Sequence, residues 1–323
     1  MTQKPVALTC GEPAGIGIEL TVKAWQKLRD TDAFFWMGDP THLPKEVPHE
    51  IIEAPEDAVK VMPHALPVLG FNFPEPVQFG VPNPKNAAII VEVIAKAVEF
   101  VRSGSAIALC TLPIHKKALQ DGAGFGYPGH TEFLASLCGV KQPVMMLAGP
   151  ELKVVPATIH IPLSEVPSAL VQVDLEEIIS TTYESLKIHF KIKKPRLAVS
   201  GLNPHAGESG KFGWEDIEII QPVISKLQQK GINVTGPHSA DTMFHKAARD
   251  KYDVAITMYH DQALIPIKTL DFDKGVNVTL GLPFVRTSPD HGTALDIAGQ
   301  RKANPTSTIE AIKMAVLLGK VHD

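Results

Sequence analysis

The chain has 323 residues, 44% of them hydrophobic and 20% charged, with a net charge of -4 at neutral pH. That balance excludes a disordered or fibrous chain and gives no reason to expect nucleic acid or an anionic membrane as partner. No stretch approaches the roughly 20 apolar residues of a membrane span and the start MTQKPVALTCGEPAG lacks a secretory pattern, so a cytoplasmic protein is expected. The length suggests two domains. Cys10, Cys110 and Cys138 are odd in number and widely spaced, the pattern of reduced thiols in packed elements rather than of a disulfide framework or zinc knuckle.

In chain order, VALTC at 6 is a short β-leaning run, followed by CGEPAGIG at 10–17. The glycines there do not follow the G-x-G-x-x-G order, and neither Asp30 nor Asp32 ends a second strand, so the stretch reads as a tight strand-to-helix turn rather than a dinucleotide loop. FFWMG at 34 is a second strand. The Pro-rich segment between Pro63 and Pro84 reads as an irregular surface connection, because proline feeds neither a helix nor a central strand. NAAIIVEVIAKAVEFVRSG, from 86 to 104, has helical periodicity that puts Ile90, Val93, Ala97 and Val101 on one face. Strands follow in AIALC at 106 and VMMLAG at 144, then a helix in LEEIISTTYESLKIHF from 175 and a strand in RLAVSG at 196. WEDIEIIQPVISKLQQKG, from 214, is a helix capped by Gly231, and DVAITMY at 253 is another strand. This alternation predicts an α/β fold with a largely parallel sheet.

Histidines sit in several turns that follow these strands, where open α/β sheets bind ligands. They are His130 in YPGHTEFLA, His160 in ATIHIPL, His205 in GLNPHAGESG, His260 in MYHDQ and His291 in SPDHGTALDIAG. Taken singly, each is compatible with an ordinary structural role. His160, His205 and His260 could together hold a metal and leave a position for substrate, but no local spacing identifies them as a set. Asp261 would suit an orienting partner for an imidazole, a proton acceptor or a helix N-cap. Gly129, His130 and Thr131 precede a short amphipathic helix whose first N–H groups could hold an anion, or Thr131 could simply cap it. Lys268, Asn277 and Arg286 are equipped to meet a phosphate or carboxylate, or to sit solvated at the surface.

Taken together, GEPAGIGIE, GHTEFLA, TIHIPL, GLNPHAGESG, GPHSADTMF, MYHDQALIPIK and GLPFVRTSPDHGTALDIAG resemble the 4-hydroxythreonine-4-phosphate dehydrogenase family of pyridoxal 5′-phosphate biosynthesis. The resemblance runs from about residue 6 to the end, with Glu12 where many members carry Asp. It implies two α/β/α domains around a central cleft, akin to isocitrate and isopropylmalate dehydrogenases, in a homodimer. Approximate boundaries of 1–125 with 283–323 for the cofactor side, and 126–282 for the metal, substrate and dimer side, go with it. It further implies a divalent metal (zinc, magnesium or cobalt) on His160, His205 and His260, with one ligand from the partner subunit. Substrate contacts would come from His130, Thr131, Lys268, Asn277 and Arg286, and acidic or catalytic groups from Asp241, Asp261 and Lys268. NAD or NADP would lie along His291, Gly292 and Asn304.

The implied reaction is oxidation of 4-phosphooxy-L-threonine at C3 to a β-keto acid, 2-amino-3-oxo-4-phosphooxybutanoate, which loses CO₂ to give 3-amino-2-oxopropyl phosphate. The proton acceptor stays open among Asp241, Asp261 and Lys268. Rival expectations are a paralogue acting on 4-phospho-D-threonate or D-erythronate 4-phosphate, a metal-dependent hydrolase, and a non-catalytic protein that binds a phosphorylated ligand.

Overall fold

A computed structural model describes residues 4–320. The chain divides into two units, one built from the described residues up to Pro143 and from Leu282 onward, the other from Val144–Gly281. The first break lies beyond the expected 125/126 because helices Lys116–Ala123 and His130–Cys138 both pack on helix Ala87–Arg102. Phe125, Tyr127 and Phe133 join them in a ring cluster with centroids 5.1 to 5.3 Å apart. His130 and Thr131 therefore belong to the first unit, where the expected boundary had put them in the second.

The first unit contains β1 (Val6–Thr9), β2 (Phe34–Gly38), β3 (His49–Ile51), β4 (Leu66–Gly70) and β5 (Ala108–Thr111). The second contributes β6 (Val144–Ala148), β7 (Lys153–Pro156), β8 (Leu197–Ser200), β9 (Val234–His238), β10 (Val254–Thr257) and β11 (Val276–Leu280). The chain then returns to the first unit with β12 (Arg286–Pro289).

In the first unit the strands run β3-β4-β2-β1-β5-β12, and every pair in that series is parallel. β1, β2, β5 and β12 are buried along their whole length, which is why the first three read as unbroken apolar runs instead of alternating ones. Helix Ala87–Arg102 buries the predicted face of Ile90, Val93, Ala97 and Val101 and packs on β1 and β5.

The turn after β1 is tight, as its sequence predicts: Gly11 has φ +64, and a Cβ there would collide with the Pro113 carbonyl. The Pro-rich segment departs from expectation, because β4 begins inside it. Pro67 is tolerated because the pairing of β4 with β2 starts one residue later, at Val68, while Leu66 donates to Pro48 on the β3 side.

In the second unit the order is β11-β6-β7-β10-β8-β9. β7, β10, β8 and β9 are mutually parallel, whereas β6 is antiparallel to both β7 and β11. Leu147, Val154, Ala198, Ala255 and Ile267 form a core cluster in this unit. The predicted helices appear as Leu175–Ile188 and Gln221–Gln229, the second preceded by a π-helical turn at Asp216–Ile220 and followed by Gly231 at φ +82. Cys10 and Cys110 are buried, Cys138 half-buried, and all three are free thiols. Among the described residues no helix is long and apolar enough to cross a membrane.

Leu109, on β5 between β1 and β12, is wholly buried. Leu109→Ala should lower unfolding free energy by about 2–5 kcal/mol, read as a reduced urea midpoint for the first unit's transition; an unchanged midpoint would contradict the packing described.

Candidate functional site

In the second unit, the ends of β7 and β10 continue side by side past their ladder. Ala157 donates to the Thr257 carbonyl at 2.7 Å, and the Thr158 N–H and hydroxyl both donate to the Met258 carbonyl at 3.2 and 2.7 Å. Two residues further on in each strand stand His160 and His260, with ring centroids 5.7 Å apart. Both line a pocket of ≈ 290 Å³ together with Asp261, Tyr259 and Leu163. His160 has φ +54, a left-handed conformation that histidine adopts more readily than bulkier side chains.

His260 opens helix His260–Asp271, and its Nδ1 lies 2.7 Å from Asp261 Oδ1. A carboxylate accepts only, so Nδ1 carries the proton and Nε2 keeps its lone pair for a metal or a proton. Gln262 locks the start of this helix: its Oε1 accepts from Met258 N–H and the Ser200 hydroxyl, and its Nε2 donates to the Gly201 carbonyl.

His205 is not part of this pocket. It lies exposed in Pro204–Gly210, where His205, Ala206, Gly207, Glu208 and Ser209 all have positive φ between 41° and 79°. Left-handed backbone costs about 1–2 kcal/mol per L-residue, so the turn exists only because surrounding contacts impose it. It packs against the short turn Ala240–Thr242, which carries Asp241, an exposed carboxylate that accepts from the Ser239 hydroxyl at 2.6 Å. Phe212 and Trp214, beside His205 in sequence, are 41% and 58% exposed, an unusual display of aromatic surface. Among the described residues no three His, Cys, Asp or Glu side chains of one chain converge as a metal site.

Lys268 lies on helix His260–Asp271, with Nζ 5.9 Å from the centre of the Phe272 ring. Asn277, on β11, keeps its Oδ1 buried without a hydrogen-bond partner.

The first unit supplies a different cluster. Arg286 is almost wholly buried and donates to the Thr111 hydroxyl from Nε and an Nη at 3.2 and 2.7 Å. Burial pushes its guanidinium down to about 10, still cationic at neutral pH, while the Glu132 carboxylate favours the charge. Burial likewise lifts the neighbouring Cys110 thiol to about 12, so that group stays neutral beside it.

His130 opens helix His130–Cys138 after Gly129, an N-cap that offers no side-chain acceptor. Its Nε2 is buried and unpartnered, and desolvation, reinforced by the Arg286 charge, holds the imidazole well below its ordinary 6.5. Thr131 follows it in the first turn. A buried cation, a neutral imidazole with an unused nitrogen and an uncapped helix N-terminus form an arrangement suited to an oxyanion.

His291 is held between the Gly292 carbonyl, 2.9 Å from Nδ1, and the Thr308 hydroxyl, 3.2 Å from Nε2, and burial lowers its pKa. Asn304 accepts from the Thr306 N–H and hydroxyl at the start of helix Thr306–Gly319. A side chain at Gly292 would meet nothing within 4 Å, so the space beside this glycine is open.

Sequence reasoning missed three supporting residues: Thr111, Asp216 and Gln262. Gln262 had a usable signal, its place directly after His260 and Asp261. Thr111 and Asp216 had none, because the groups they hold are distant in sequence or lie in an irregular turn.

The family of pyridoxal phosphate biosynthetic protein PdxA matches residues 30–315. A 4-hydroxythreonine-4-phosphate dehydrogenase from Ruegeria sp. (strain TM1040) is 58% identical over 324 residues, covering 100% of this chain and 99% of its own. One from Roseobacter denitrificans is 56% identical, covering 98% of both chains. The crystal structure of 4-hydroxythreonine-4-phosphate dehydrogenase from Klebsiella pneumoniae superposes with a TM-score of 0.89 at 35% identity, covering 98% of each chain.

Because the folded unit keeps His130 neutral to lower pH than the unfolded chain does, its contribution to stability is complete above about 6.5. It is lost as pH falls from there toward the depressed value. His130→Gln should therefore flatten the fall in Tm between about pH 7 and pH 5 relative to the unsubstituted chain; parallel Tm curves would refute the assignment.

Proposed function

Since the chain belongs to the PdxA family of pyridoxal phosphate biosynthetic proteins, we propose that it oxidises 4-phosphooxy-L-threonine at C3 with NAD⁺ or NADP⁺. The product is 2-amino-3-oxo-4-phosphooxybutanoate, which decarboxylates to 3-amino-2-oxopropyl phosphate. The observation that carries this reading is the 58% identity over the whole chain to a protein of that name.

The phosphate is assigned to the first unit's cluster. Arg286 supplies charge in a desolvated setting, where a charge-assisted hydrogen bond is strongest, and the first N–H groups of helix His130–Cys138 add fixed dipoles. His130, held neutral, uses its unpartnered Nε2 as a hydrogen-bonding group rather than as a second cation. Lys268 and Asn277 are further candidate contacts for polar groups of a substrate; the buried, unpartnered Asn277 Oδ1 is an acceptor suited to an ammonium or hydroxyl.

His160 and His260 of one chain, with His205 from a second copy, are the proposed metal ligands. The all-imidazole set suits zinc or cobalt better than magnesium. Two observations support sharing: only two of the three imidazoles meet within one chain, and His205 stands exposed beside exposed Phe212 and Trp214. A divalent ion held there would supply Lewis acidity toward a substrate oxygen, and a bound nicotinamide would supply the hydride acceptor.

The chain's own groups do the rest. Asp261 fixes the His260 tautomer, which leaves Asp241 and Lys268 as acceptors for the hydroxyl proton. The room at Gly292, beside neutral His291 and the Asn304 turn, fits a nucleotide laid along that segment. The keto acid formed is primed to lose CO₂, because the resulting enolate delocalises its charge onto the ketone oxygen.

Purified protein with 4-phosphooxy-L-threonine and either nicotinamide should develop absorbance at the reduced-nicotinamide band, lose that activity on chelation and regain it with zinc or cobalt. Turnover of 4-phospho-D-threonate or D-erythronate 4-phosphate instead would move the chain to a paralogous activity, and phosphate release without cofactor would make it a hydrolase.

Sharing has its own test. His205→Ala and His260→Ala should each be inactive alone, yet a refolded equal mixture should recover roughly a quarter of the activity, since half the dimers are mixed and each has one intact site. A mixture as dead as its parents would place all three ligands in one chain.

A further inference from the structure

Asp216 is completely buried at the start of the π-helical turn, and four groups converge on its carboxylate. Its Oδ1 accepts from the Leu202 N–H at 2.8 Å, and its Oδ2 accepts from the Asn203 N–H at 3.2 Å and from Asn203 Nδ2 at 3.0 Å. Glu215 Oε2 takes the second hydrogen of that amide at 2.8 Å. The fourth group is Gly207, in the middle of the left-handed turn, which closes directly over this carboxylate. A Cβ on it would lie 3.3 Å from Oδ2, a tight contact that marks how closely the turn approaches the carboxylate.

The end of β8 does not depend on these bonds. Gln262 holds Ser200 and Gly201 independently, and the Gly201 N–H donates to the His238 carbonyl. What Asp216 anchors at its start is the stretch from Leu202 to Gly207, from whose first two N–H groups it accepts, and His205 lies inside it.

We propose that Asp216 is a positioning residue: by gathering the Leu202 and Asn203 donors under Gly207, it imposes the left-handed turn that aims the His205 imidazole outward as a metal ligand. The inference rests on the reading of His205 as a ligand given above. A carboxylate is required because the site presents only donors. Asn would turn an NH₂ toward one of them, and Ala would leave all three N–H groups without an acceptor.

The experiment measures Co²⁺ affinity of the full-length protein, and the visible d–d spectrum of the bound ion, in Asp216→Asn, Asn203→Ala and His205→Ala, with Tm and the far-UV spectrum of each. Asp216→Asn should keep the unsubstituted far-UV spectrum and a cooperative melt, weaken Co²⁺ binding by about 10–100-fold, and shift its spectrum toward that of His205→Ala. Asn203→Ala, which removes two side-chain bonds and keeps the backbone ones, should give a smaller loss in the same direction.

If His205→Ala binds Co²⁺ as the unsubstituted chain does, the ligand reading itself fails. If His205→Ala loses the ion while a folded Asp216→Asn holds it with unchanged affinity and spectrum, the positioning role is overturned and the ligand reading stands. Should Asp216→Asn not fold, Asn203→Ala decides: unchanged Co²⁺ binding there overturns the proposal.

Discussion

Parallel pairing of β7, β10, β8 and β9 is the constraint on which the candidate chemistry of the second unit depends. Parallel neighbours cannot be joined by a tight hairpin, so each strand must end in a connection that leaves the sheet at its carboxyl edge. His160 follows β7, His205 follows β8, Asp241 follows β9 and His260 follows β10. Four elements far apart in sequence thus discharge their polar residues along one edge without any local motif linking them. The extra hydrogen bonds beyond the β7–β10 ladder set which of these residues meet: they carry the two extensions together as far as His160 and His260. The β8 connection instead turns left-handed, and it presents His205 elsewhere.

The first unit solves a different problem, that of keeping charge in a place without water. Arg286 lies at the start of a strand buried along its whole length, and its cost is offset by Thr111, by the nearby Glu132 charge and by neutral neighbours in Cys110 and His130. Desolvation acts oppositely on the two kinds of group: it raises the thiol's pKa and lowers the imidazole's, and both outcomes are the uncharged form. With the neighbouring thiol and imidazole uncharged, only Glu132 offsets the guanidinium's field, which favours an anion near the helix N-terminus beside it.

The strands that could be read from the sequence are those whose burial is total, such as FFWMG and VALT, and the helix faces with clean periodicity, such as Ile90 through Val101. β4 was hidden by Pro67, because the rule against proline in a central strand has an exception at the first step of a ladder, and a ladder's start depends on a partner strand. The individual histidines were visible as types in suggestive turns, and the family resemblance supplied their grouping. Asp216 and Thr111 were not visible at all: each works by meeting donors that only the folded chain assembles. The left-handed run was equally illegible, since four of its five residues are not glycine and none prefers that conformation alone.

The two units are made from the chain in different ways, and this bears on how the molecule is assembled during synthesis. The second unit is one contiguous stretch, so all its strands exist once residue 281 has emerged. The first unit starts earlier but ends later. β5 waits for β12, and Thr111 for Arg286, until the last part of the chain is made; only then does helix Thr306–Gly319 come down on β5 and β12. The first unit is therefore the last part of the protein to form, and a nascent chain must carry an open parallel edge at β5 while an already complete unit follows it out of the ribosome.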